Sequence, residues 1–377
     1  MQKILVSVGT RPEAIKMAPL IQRLKTSSNF DVVVCSTGQH REMIKQVFDL
    51  FRISPDVDLE LMQPDQKLSA LTARVLSGME TAIARHRPNR VLVHGDTTTT
   101  MATTLAAYYQ QIPVGHVEAG LRTRNIYAPW PEEVNRRVTD AIADRLYAPT
   151  QVSRDNLLVE GVPADNILVT GNTVIDALLD IVNGPLALPA TQNRLASKLP
   201  YFDKNRKTIL VTCHRRESYG DGFRDVCEAL ARLAKRDDVR IVFPIHRNPN
   251  VRAAFSLLNE YSNVTLTEPL DYLEFVYAQS KSYFILTDSG GVQEEAPSLG
   301  IPVLVMREVT ERPEAVAAGT VKLVGTNTTR IVQTAEALLD DPLAYAAMSE
   351  IHNPYGDGRA CERIIASLEG DHSHARR

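Results

Sequence analysis

Residues 283–296 read YFILTDSGGVQEEA, and this stretch decides the fold predicted for the chain. A short apolar run, typical of a buried strand, is followed by a Ser-Gly-Gly turn and then by a segment that reads as a helix. Such a turn presents backbone N–H groups at a helix start, where phosphate is favoured, and Glu295 lies one turn further on. An ordinary glycine turn with a serine cap is the alternative. We interpret the stretch as a nucleotide-diphosphate cradle because polar residues follow other strands as well.

Short runs rich in Val, Ile and Leu alternate with helical patterns along both halves of the chain. The predicted strands are Lys3–Val8, Asp31–Ser36, Arg90–His94, Val114–Val117, Thr208–Thr212, Val239–Phe243, Val264–Leu266, Tyr283–Leu286 and Val303–Val305. Strands that alternate with helices pair in parallel, because each connection crosses one face of the sheet. The predicted fold class is therefore α/β, with two Rossmann-like parallel-sheet domains.

The length of 377 residues also favours two domains, since it exceeds the size of an ordinary single core. The alternation is interrupted between Gly171 and Lys207. We predict a first domain at residues 1–171, a connecting segment at 172–206 and a second domain at 207–353. A last helix within residues 354–369 is expected to pack back on the first domain, and residues 370–377 are expected to form a disordered tail.

Charge and cysteine content argue against several classes of protein. Lys and Arg total 42 against 45 for Asp and Glu, and the net charge of −3 gives no general attraction to nucleic acid or an anionic membrane. The four cysteines are far apart and lack the spacing of zinc ligands. They read as reduced, packed thiols, which indicates a cytoplasmic protein without a metal site. No apolar run reaches the length of a membrane-spanning helix.

Polar side chains follow several predicted strands, at the edge where open parallel sheets bind ligands. Arg11 follows the first strand, with Lys16 about one turn into the next helix, and Asp96 and Glu118 follow two later strands. In the second half, His214 follows a strand in the same way. Each residue alone could cap a helix or pair with a surface charge, but stability does not explain their joint position. We expect two facing sheets to bring them to one cleft between the domains.

A pair of carboxylates, Glu132 and Glu133, lies at a predicted helix start in the segment PWPEE, residues 129–133. Proline and acidic residues are favoured in a first helical turn. Helix initiation explains Glu133 well and Glu132 less well. Glu132 is therefore the third candidate carboxylate.

The candidate residues lie in a series of short motifs. These are GTRPEAIK (9–16), GQHREM (38–43), HGDTT (94–98), HVEAGLR (116–122), PEE (131–133), TGNT (170–173), HRRE (214–217) and SGGVQEE (289–295). In order and spacing, the series resembles the non-hydrolysing bacterial UDP-N-acetylglucosamine 2-epimerase family. The likeness extends from Lys3 to about Glu369, and chance is a poor explanation for the whole series.

The resemblance implies a GT-B-like architecture, a homodimer, and interconversion of UDP-GlcNAc and UDP-ManNAc for surface polysaccharide synthesis. It implies a reaction centre made of Asp96, Glu118, Glu132 and His214. It implies that the UDP-sugar is held by Arg11, Lys16, Phe275, Ser289, Gly290, Gly291, Glu295 and Arg312. Phe275 would lie near the base and Glu295 on the ribose. Gln39, His40 and Arg41 match a segment that in bacterial relatives lies by an activating site for a second UDP-GlcNAc.

Inversion at C2 of a UDP-sugar requires either oxidation of a neighbouring hydroxyl by NAD or elimination of UDP. No Gly-x-Gly-x-x-Gly fingerprint follows a predicted strand, so we expect no dinucleotide cofactor. Elimination needs a carboxylate base at C2, an acid or cation at the departing diphosphate, and exclusion of water from the 2-acetamidoglucal intermediate. The three carboxylates would divide the base and acid roles, in an order that the residues leave open. Arg11, Arg312 and His214 would stabilise the β-phosphate.

Other functions stay open on the sequence alone. A GT-B glycosyltransferase using a UDP-sugar would share the fold and the cradle, although it should present an apolar acceptor site. A nucleotide-sugar sensor would need the cradle and none of the carboxylates. A hydrolysing 2-epimerase would release ManNAc and UDP, and a 2-epimerase of a modified UDP-sugar would use the same groups.

Overall fold

The computed structural model describes residues 1–38, 41–61, 66–202, 205–213, 221–245 and 249–374. The chain divides into two compact units. The first comprises Met1–Ala177 with Tyr355–Arg377, and the second comprises Leu178–Pro354. Each unit is built on one parallel sheet, so the prediction of an α/β protein with two Rossmann-like sheets is confirmed.

The sheet of the first unit is assembled from short, mostly buried strands. They are β1 (Gln2–Val8), β2 (Phe30–Ser36), β3 (Val57–Asp58), β4 (Arg90–His94), β5 (Val114–Val117), β6 (Arg145–Ala148) and β7 (Ile167–Val169). Over the described part of the chain their order is β3-β2-β1-β4-β5-β6-β7. The direction of chain progression therefore reverses between β1 and β4, and such a reversal marks the ligand-binding edge of open parallel sheets.

The second unit repeats this design with a smaller sheet. Its strands are β8 (Lys207–Thr212), β9 (Val239–Pro244), β10 (Val264–Thr267), β11 (Phe284–Thr287), β12 (Val303–Val305) and β13 (Val321–Leu323). Among the residues described, their order is β10-β9-β8-β11-β12-β13. The reversal lies between β8 and β11, so the turn after β11 occupies the favoured ligand position.

Helices connect successive strands in both units. In the first unit they are α1 (Arg11–Thr26), α2 (Arg41–Leu50), α3 (Leu68–His86), α4 (Thr98–Tyr109), α5 (Glu132–Ile142) and α6 (Gln151–Val159). The unit boundary falls within α7 (Thr173–Asn183). The second unit has α8 (Pro189–Lys198), α9 (Asp221–Leu233), α10 (Pro249–Ala254), α11 (Tyr272–Lys281), α12 (Gly290–Glu295), α13 (Pro313–Ala318), α14 (Thr328–Asp340) and α15 (Pro342–Ser349). The last helix, α16 (Ala360–His374), belongs to the first unit.

The central strands form around runs of apolar residues and are mostly buried. All five residues of β4, RVLVH, are buried, as expected for a strand covered by helices on both faces. Leu5 and Val93 belong to one core cluster with Val75 and Met79 of α3. A separate cluster in the second unit includes Ile209 and Leu286. Each fully buried aliphatic side chain contributes about 1.5–3 kcal/mol by leaving water.

Several predicted segment boundaries differ from the structure. The connecting segment predicted at 172–206 contains two regular helices, α7 and α8, and the units divide between Ala177 and Leu178. The apolar residues of α7, such as Ile175 and Ile181, are buried, so this segment is core rather than linker. The prediction of a disordered tail from residue 370 is wrong for residues 370–374, because α16 continues to His374. No proline interrupts that stretch, and residues 375–377 lie outside the described residues.

Among the described residues, no single helix combines the length and apolar character required to cross a membrane. One bent pair, Thr173–Ala187 with Pro189–Lys198, meets those two criteria jointly but turns by 94° at its break. In the same residues, no group of three or more His, Cys, Asp or Glu side chains is arranged to hold a metal ion.

Candidate active site

In the first unit, Glu13 joins the turns that follow β1 and β4. Its Oε2 accepts hydrogen bonds from the N–H groups of Gly9 at 3.0 Å and Thr10 at 2.6 Å. Its Oε1 accepts from the hydroxyls of Thr97 at 2.7 Å and Thr100 at 3.1 Å. Burial raises the pKa of Glu13, although these hydrogen bonds oppose the shift. The two turns at the reversal point of the sheet are thus fixed to each other.

Glu118 lies directly after β5 and is buried, in a cluster of nitrogen donors. Lys16 on α1 forms an ion pair and hydrogen bond with its Oε2, and Asn172 donates to the same oxygen at 2.7 Å. His94 Nε2 lies 3.8 Å from that oxygen. Burial lowers the pKa of His94 to about 4, so this ring is neutral at pH 7. An ammonium and an amide donor stabilise the ionised form of Glu118.

The backbone of Glu118 adopts φ +67°, which side-chain-bearing residues seldom adopt. Residues in such conformations are held by their surroundings and occur often at functional sites. The turn therefore holds a buried carboxylate at a strand end, and its backbone conformation costs free energy. This cost supports a functional role more strongly than a purely structural one.

Asp96 follows β4 and is held by two residues of α5. Arg136 pairs with its Oδ2, and Asn135 donates to its backbone carbonyl at 2.9 Å. Arg136 also donates to Glu133 at 2.9 Å. The side chain of Asp96 is 29 % exposed, so this ion-paired carboxylate is partly accessible to a ligand.

The two glutamates at the start of α5 have different surroundings. Glu133 is fully buried and accepts from the backbone N–H groups of Thr123 and Arg124, each at 3.1 Å. Glu133 therefore fixes the loop before α5, as helix initiation suggested. Glu132 is the first residue of α5 and is half-buried.

In the second unit, the Ser-Gly-Gly turn follows β11 and opens α12, a helix of six residues. A Cβ atom added to Gly290 would lie 2.7 Å from Cζ of Arg312, so glycine is required for this close approach. Arg312 Nε donates to Glu294 Oε1 at 2.9 Å, and its Nη1 lies 3.4 Å from Glu311. A Cβ on Gly291 would meet its nearest neighbour only at 3.9 Å. The turn thus combines backbone that no side chain of its two glycines covers with an oriented guanidinium, a combination suited to phosphate.

Glu295 is buried at the end of α12 and is oriented by α11. Tyr272 donates its hydroxyl to Oε1 at 3.2 Å, and Gln279 donates its amide to Oε2 at 3.0 Å. Phe275 lies on the same helix, α11, and is half-buried. A carboxylate whose two oxygens are both oriented is suited to bind a pair of hydroxyls.

The chain was compared with protein families and with individual relatives. The family model for UDP-N-acetylglucosamine 2-epimerase matches residues 22–369. The chain belongs to the UDP-N-acetylglucosamine 2-epimerase family. It is 55 % identical over 369 residues to the UDP-N-acetylglucosamine 2-epimerase of Salmonella typhimurium, covering 97 % of this chain and 98 % of that protein. It is 54 % identical over 371 residues to the Escherichia coli K12 enzyme of the same name, covering 98 % and 99 %.

A solved structure of a family member shows the same fold. The crystal structure of UDP-GlcNAc 2-epimerase from Neisseria meningitidis bound to UDP-GlcNAc superposes with a TM-score of 0.93 at 50 % sequence identity. The match covers 98 % of this chain and 100 % of that one. The predicted family is therefore confirmed.

Most sequence-predicted site residues lie in the turns and helices that follow strands of the two sheets. In the first unit these are Arg11, Lys16, Asp96, Glu118 and Glu132. In the second they are Phe275, Ser289, Gly290, Gly291, Glu295 and Arg312. His214, Gln39 and His40 lie outside the described residues. Arg41 is the first residue of α2, and the structure does not describe its side chain.

The sequence-based prediction missed the residues that hold the candidate carboxylates. Asn172 appears in the TGNT motif but received no role, and Arg136 lies one helical turn after Glu132. Tyr272 and Gln279 were likewise not predicted as partners of Glu295. The spacing of Glu133 and Arg136, three residues apart on one helix face, was a usable signal for that ion pair. The long-range partners left no such signal in the sequence.

Proposed function

We propose that this protein interconverts UDP-N-acetylglucosamine and UDP-N-acetylmannosamine by eliminating UDP and adding it back to a 2-acetamidoglucal. The observation that carries the proposal is the buried Glu118, directed from a strand end by an unusual backbone and paired with Lys16. Membership of the family supports it, as does the likeness to a relative crystallised with UDP-GlcNAc.

The carboxylates of the first unit are suited to proton transfer at C2. Glu118 and Asp96 each have a cationic partner, Lys16 and Arg136, which holds the carboxylate in place. An ionised carboxylate can remove the C2 proton, and a protonated one on the other face can return it. Glu132 is the third carboxylate for this exchange. Kinetic measurements on single variants would decide which of the three carboxylates acts as the base and which as the acid.

The second unit is suited to bind the leaving diphosphate. Backbone N–H groups of the Ser-Gly-Gly turn and the guanidinium of Arg312 would stabilise negative charge as the C1–O bond breaks. Glu295 would accept hydrogen bonds from the ribose, and Phe275 would contact the base. The expectation that both sets of residues serve one bound molecule stays a prediction, as do the roles of Arg11 and His214.

Proton NMR in D2O tests the reaction directly. The protein is incubated with UDP-GlcNAc and no added NAD. We expect a mixture of UDP-GlcNAc and UDP-ManNAc, with deuterium at C2 in both. Free ManNAc with UDP would indicate hydrolysis instead, and an unchanged spectrum would indicate transfer or sensing.

The Glu118→Gln variant tests the assigned residue. It keeps the size of the side chain and removes its charge, so we expect turnover to fall by a factor of at least about 100, with UDP binding retained. Glu228→Gln is the matched control, because Glu228 forms an exposed ion pair with Arg232. Full turnover by Glu118→Gln with intact UDP binding would reject the assignment.

The finer predictions come from the resemblance. A homodimer, a cytoplasmic location, a role in polysaccharide synthesis and activation by a second UDP-GlcNAc near residues 39–41 belong to this proposal. Light scattering tests the dimer. A rate that rises with UDP-GlcNAc when UDP-ManNAc is the substrate tests the activation. UDP-2,3-diacetamido uronic acids in the NMR assay test whether a modified sugar is the better substrate.

A further inference from the structure

A cluster of charged groups, three of them buried, lies beneath the turns that follow β4 and β5. It consists of His116 on β5, Asp140 on α5, Arg122 after β5 and Glu160 after α6. The side chains of His116, Asp140 and Arg122 are 0 %, 1 % and 2 % exposed. None of the four belongs to the proposed reaction centre.

His116 contacts an acceptor with each of its ring nitrogens. Nδ1 lies 2.6 Å from Asp140 Oδ1, and Nε2 lies 2.7 Å from the carbonyl oxygen of Gly95. The other oxygen of Asp140 accepts from Arg122 Nη2 at 2.7 Å and from the N–H of Gly120 at 3.2 Å. A carbonyl oxygen only accepts, so Nε2 donates to Gly95, and Nδ1 lies against a carboxylate oxygen of Asp140.

Asp140 is ionised within the cluster. Burial alone would raise the pKa of Asp140, but the charges and hydrogen bonds of His116 and Arg122 outweigh it and hold the pKa below its ordinary value. Arg122 is shared with Glu160 through two hydrogen bonds, at 2.8 Å and 2.7 Å. Glu160 also pairs with Arg137 at 3.8 Å, so the buried part of the cluster is joined to the surface through Glu160.

Asp140 connects the two turns that carry candidate carboxylates. Through His116 it fixes the carbonyl of Gly95, which has φ +69° and directly precedes Asp96. Directly, it fixes the N–H of Gly120, which has φ +86° and lies two residues after Glu118. The helix that bears Asp140 also bears the third candidate carboxylate at its first residue. One buried side chain thus sets the relative position of three segments.

Stability alone gives a weak reason for such a cluster. Burying charges costs several kcal/mol in lost hydration, and well-packed apolar side chains of similar volume are often as stable. An orienting role gives a stronger reason, because a displacement of about 1 Å at a reacting group can cost about 100-fold in rate. The backbone atoms that the cluster holds lie within two residues of Asp96 and Glu118 in the chain.

We propose that His116 and Asp140 are positioning residues, which hold the Gly95 carbonyl and the Gly120 N–H and thereby keep the carboxylates of Asp96 and Glu118 in their reactive orientation. They act through the backbone and do not touch the substrate. This inference rests on the proposed epimerase function.

Two substitutions at position 116 separate positioning from general stability. In His116→Gln, the amide nitrogen lies near the place of Nε2 and can still donate to Gly95. In His116→Asn, it lies near the place of Nδ1 and can still donate to Asp140. We expect His116→Asn to lower kcat about 10- to 100-fold and His116→Gln to lower it less than about fivefold. KM and the Kd for UDP should change less than about threefold in both, because the diphosphate contacts are proposed in the second unit.

A second comparison uses one substitution at two sites. Asp140→Asn removes the negative charge of Asp140, and Asp144→Asn removes the negative charge that pairs with the buried Arg90 at 2.6 and 2.9 Å. Arg90 and Asp144 lie at the amino ends of β4 and β6, the opposite edge of the sheet. We expect both variants to lower Tm, but only Asp140→Asn to lower kcat by about tenfold or more.

The possible results are distinct. Equal losses of kcat in His116→Asn and His116→Gln, in proportion to their losses of Tm, would overturn the positioning role. So would wild-type kcat in Asp140→Asn. If His116→Asn does not fold, the comparison of Asp140→Asn with Asp144→Asn decides alone. Wild-type protein that fails to epimerise UDP-GlcNAc would instead reject the proposed function itself.

Discussion

Replacing Lys16 with methionine removes a buried ammonium group while keeping a side chain of similar length. Lys16 and Glu118 form an ion pair in which the two side chains are 10 % and 7 % exposed. Two unit charges about 3 Å apart attract by about 5 kcal/mol at an effective dielectric constant of about 20. The variant leaves Glu118 buried and charged, which typically costs about 3–5 kcal/mol. Asn172 remains as a donor at 2.7 Å, so we expect a loss near the lower value, about 3 kcal/mol.

Urea unfolding measures this loss. Far-UV circular dichroism follows both units, and fluorescence follows the first, because the only tryptophan, Trp130, lies there. Lys45→Met is the matched control. Lys45 pairs with Asp49 on the surface, where the side chains are 73 % and 63 % exposed, and its loss should cost less than about 0.5 kcal/mol.

The double variant Lys16→Met/Glu118→Gln tests the physical cause. If an unpaired buried charge is what destabilises Lys16→Met, neutralising Glu118 should restore about 2 kcal/mol of the free energy of unfolding. The reasoning is refuted if Lys16→Met unfolds at the same urea concentration as Lys45→Met. It is also refuted if the double variant loses the sum of the two single losses.

Three further predictions address other parts of the chain. Gly290→Ala should weaken UDP binding about tenfold in calorimetry, because the new Cβ displaces Arg312; an unchanged Kd would contradict this. Arg307 and Arg312 lower the pKa of Glu311 to about 2 against the effect of burial. The stability advantage of wild type over Glu311→Gln, up to about 3 kcal/mol, should therefore be complete above pH 4.5 and disappear as pH falls towards 2 in urea titrations. Asp176→Ala removes the acceptor of the N–H groups of Ala360 and Cys361, so hydrogen exchange in α16 should accelerate by at least about 30-fold, and much less in Asp176→Asn.

Strand prediction succeeded where a run of buried residues was long enough to show a pattern. The central strands β1, β4, β8 and β11 have four to seven residues, and each was predicted to within one or two residues. The strands β3, β7 and β13 have only two or three residues. A run of that length carries no periodicity, and its pairing depends on neighbours already in place. Length and edge position are not the whole cause, since the inner strand β6 (RLYA) was not predicted, whereas β12 (VLV) and the edge strand β10 were.

Candidate site residues were predictable for a related reason. Asp96, Glu118 and the Ser-Gly-Gly turn follow central strands, so a local rule about strand ends identifies them. Their partners obey no local rule. Lys16 and Asn172 lie 102 and 54 positions from Glu118 in the sequence. Contacts at such separations are set by the packing of the folded unit, and a single sequence does not encode them as a pattern.

The charge pairs of the two units are arranged in opposite ways, and this contrast bears on function. In the first unit, buried cations hold carboxylates, as Lys16 holds Glu118. In the second, the fully buried carboxylate of Glu294 holds the guanidinium of Arg312. The first arrangement orients carboxylates, the groups that proton transfer requires, and the second orients a cation, a group suited to bind phosphate. A nucleotide-sugar sensor requires only the second arrangement. Because the first is also present, with its cost in buried charge and unusual backbone, an enzyme that moves a proton explains the chain better than a protein that only binds.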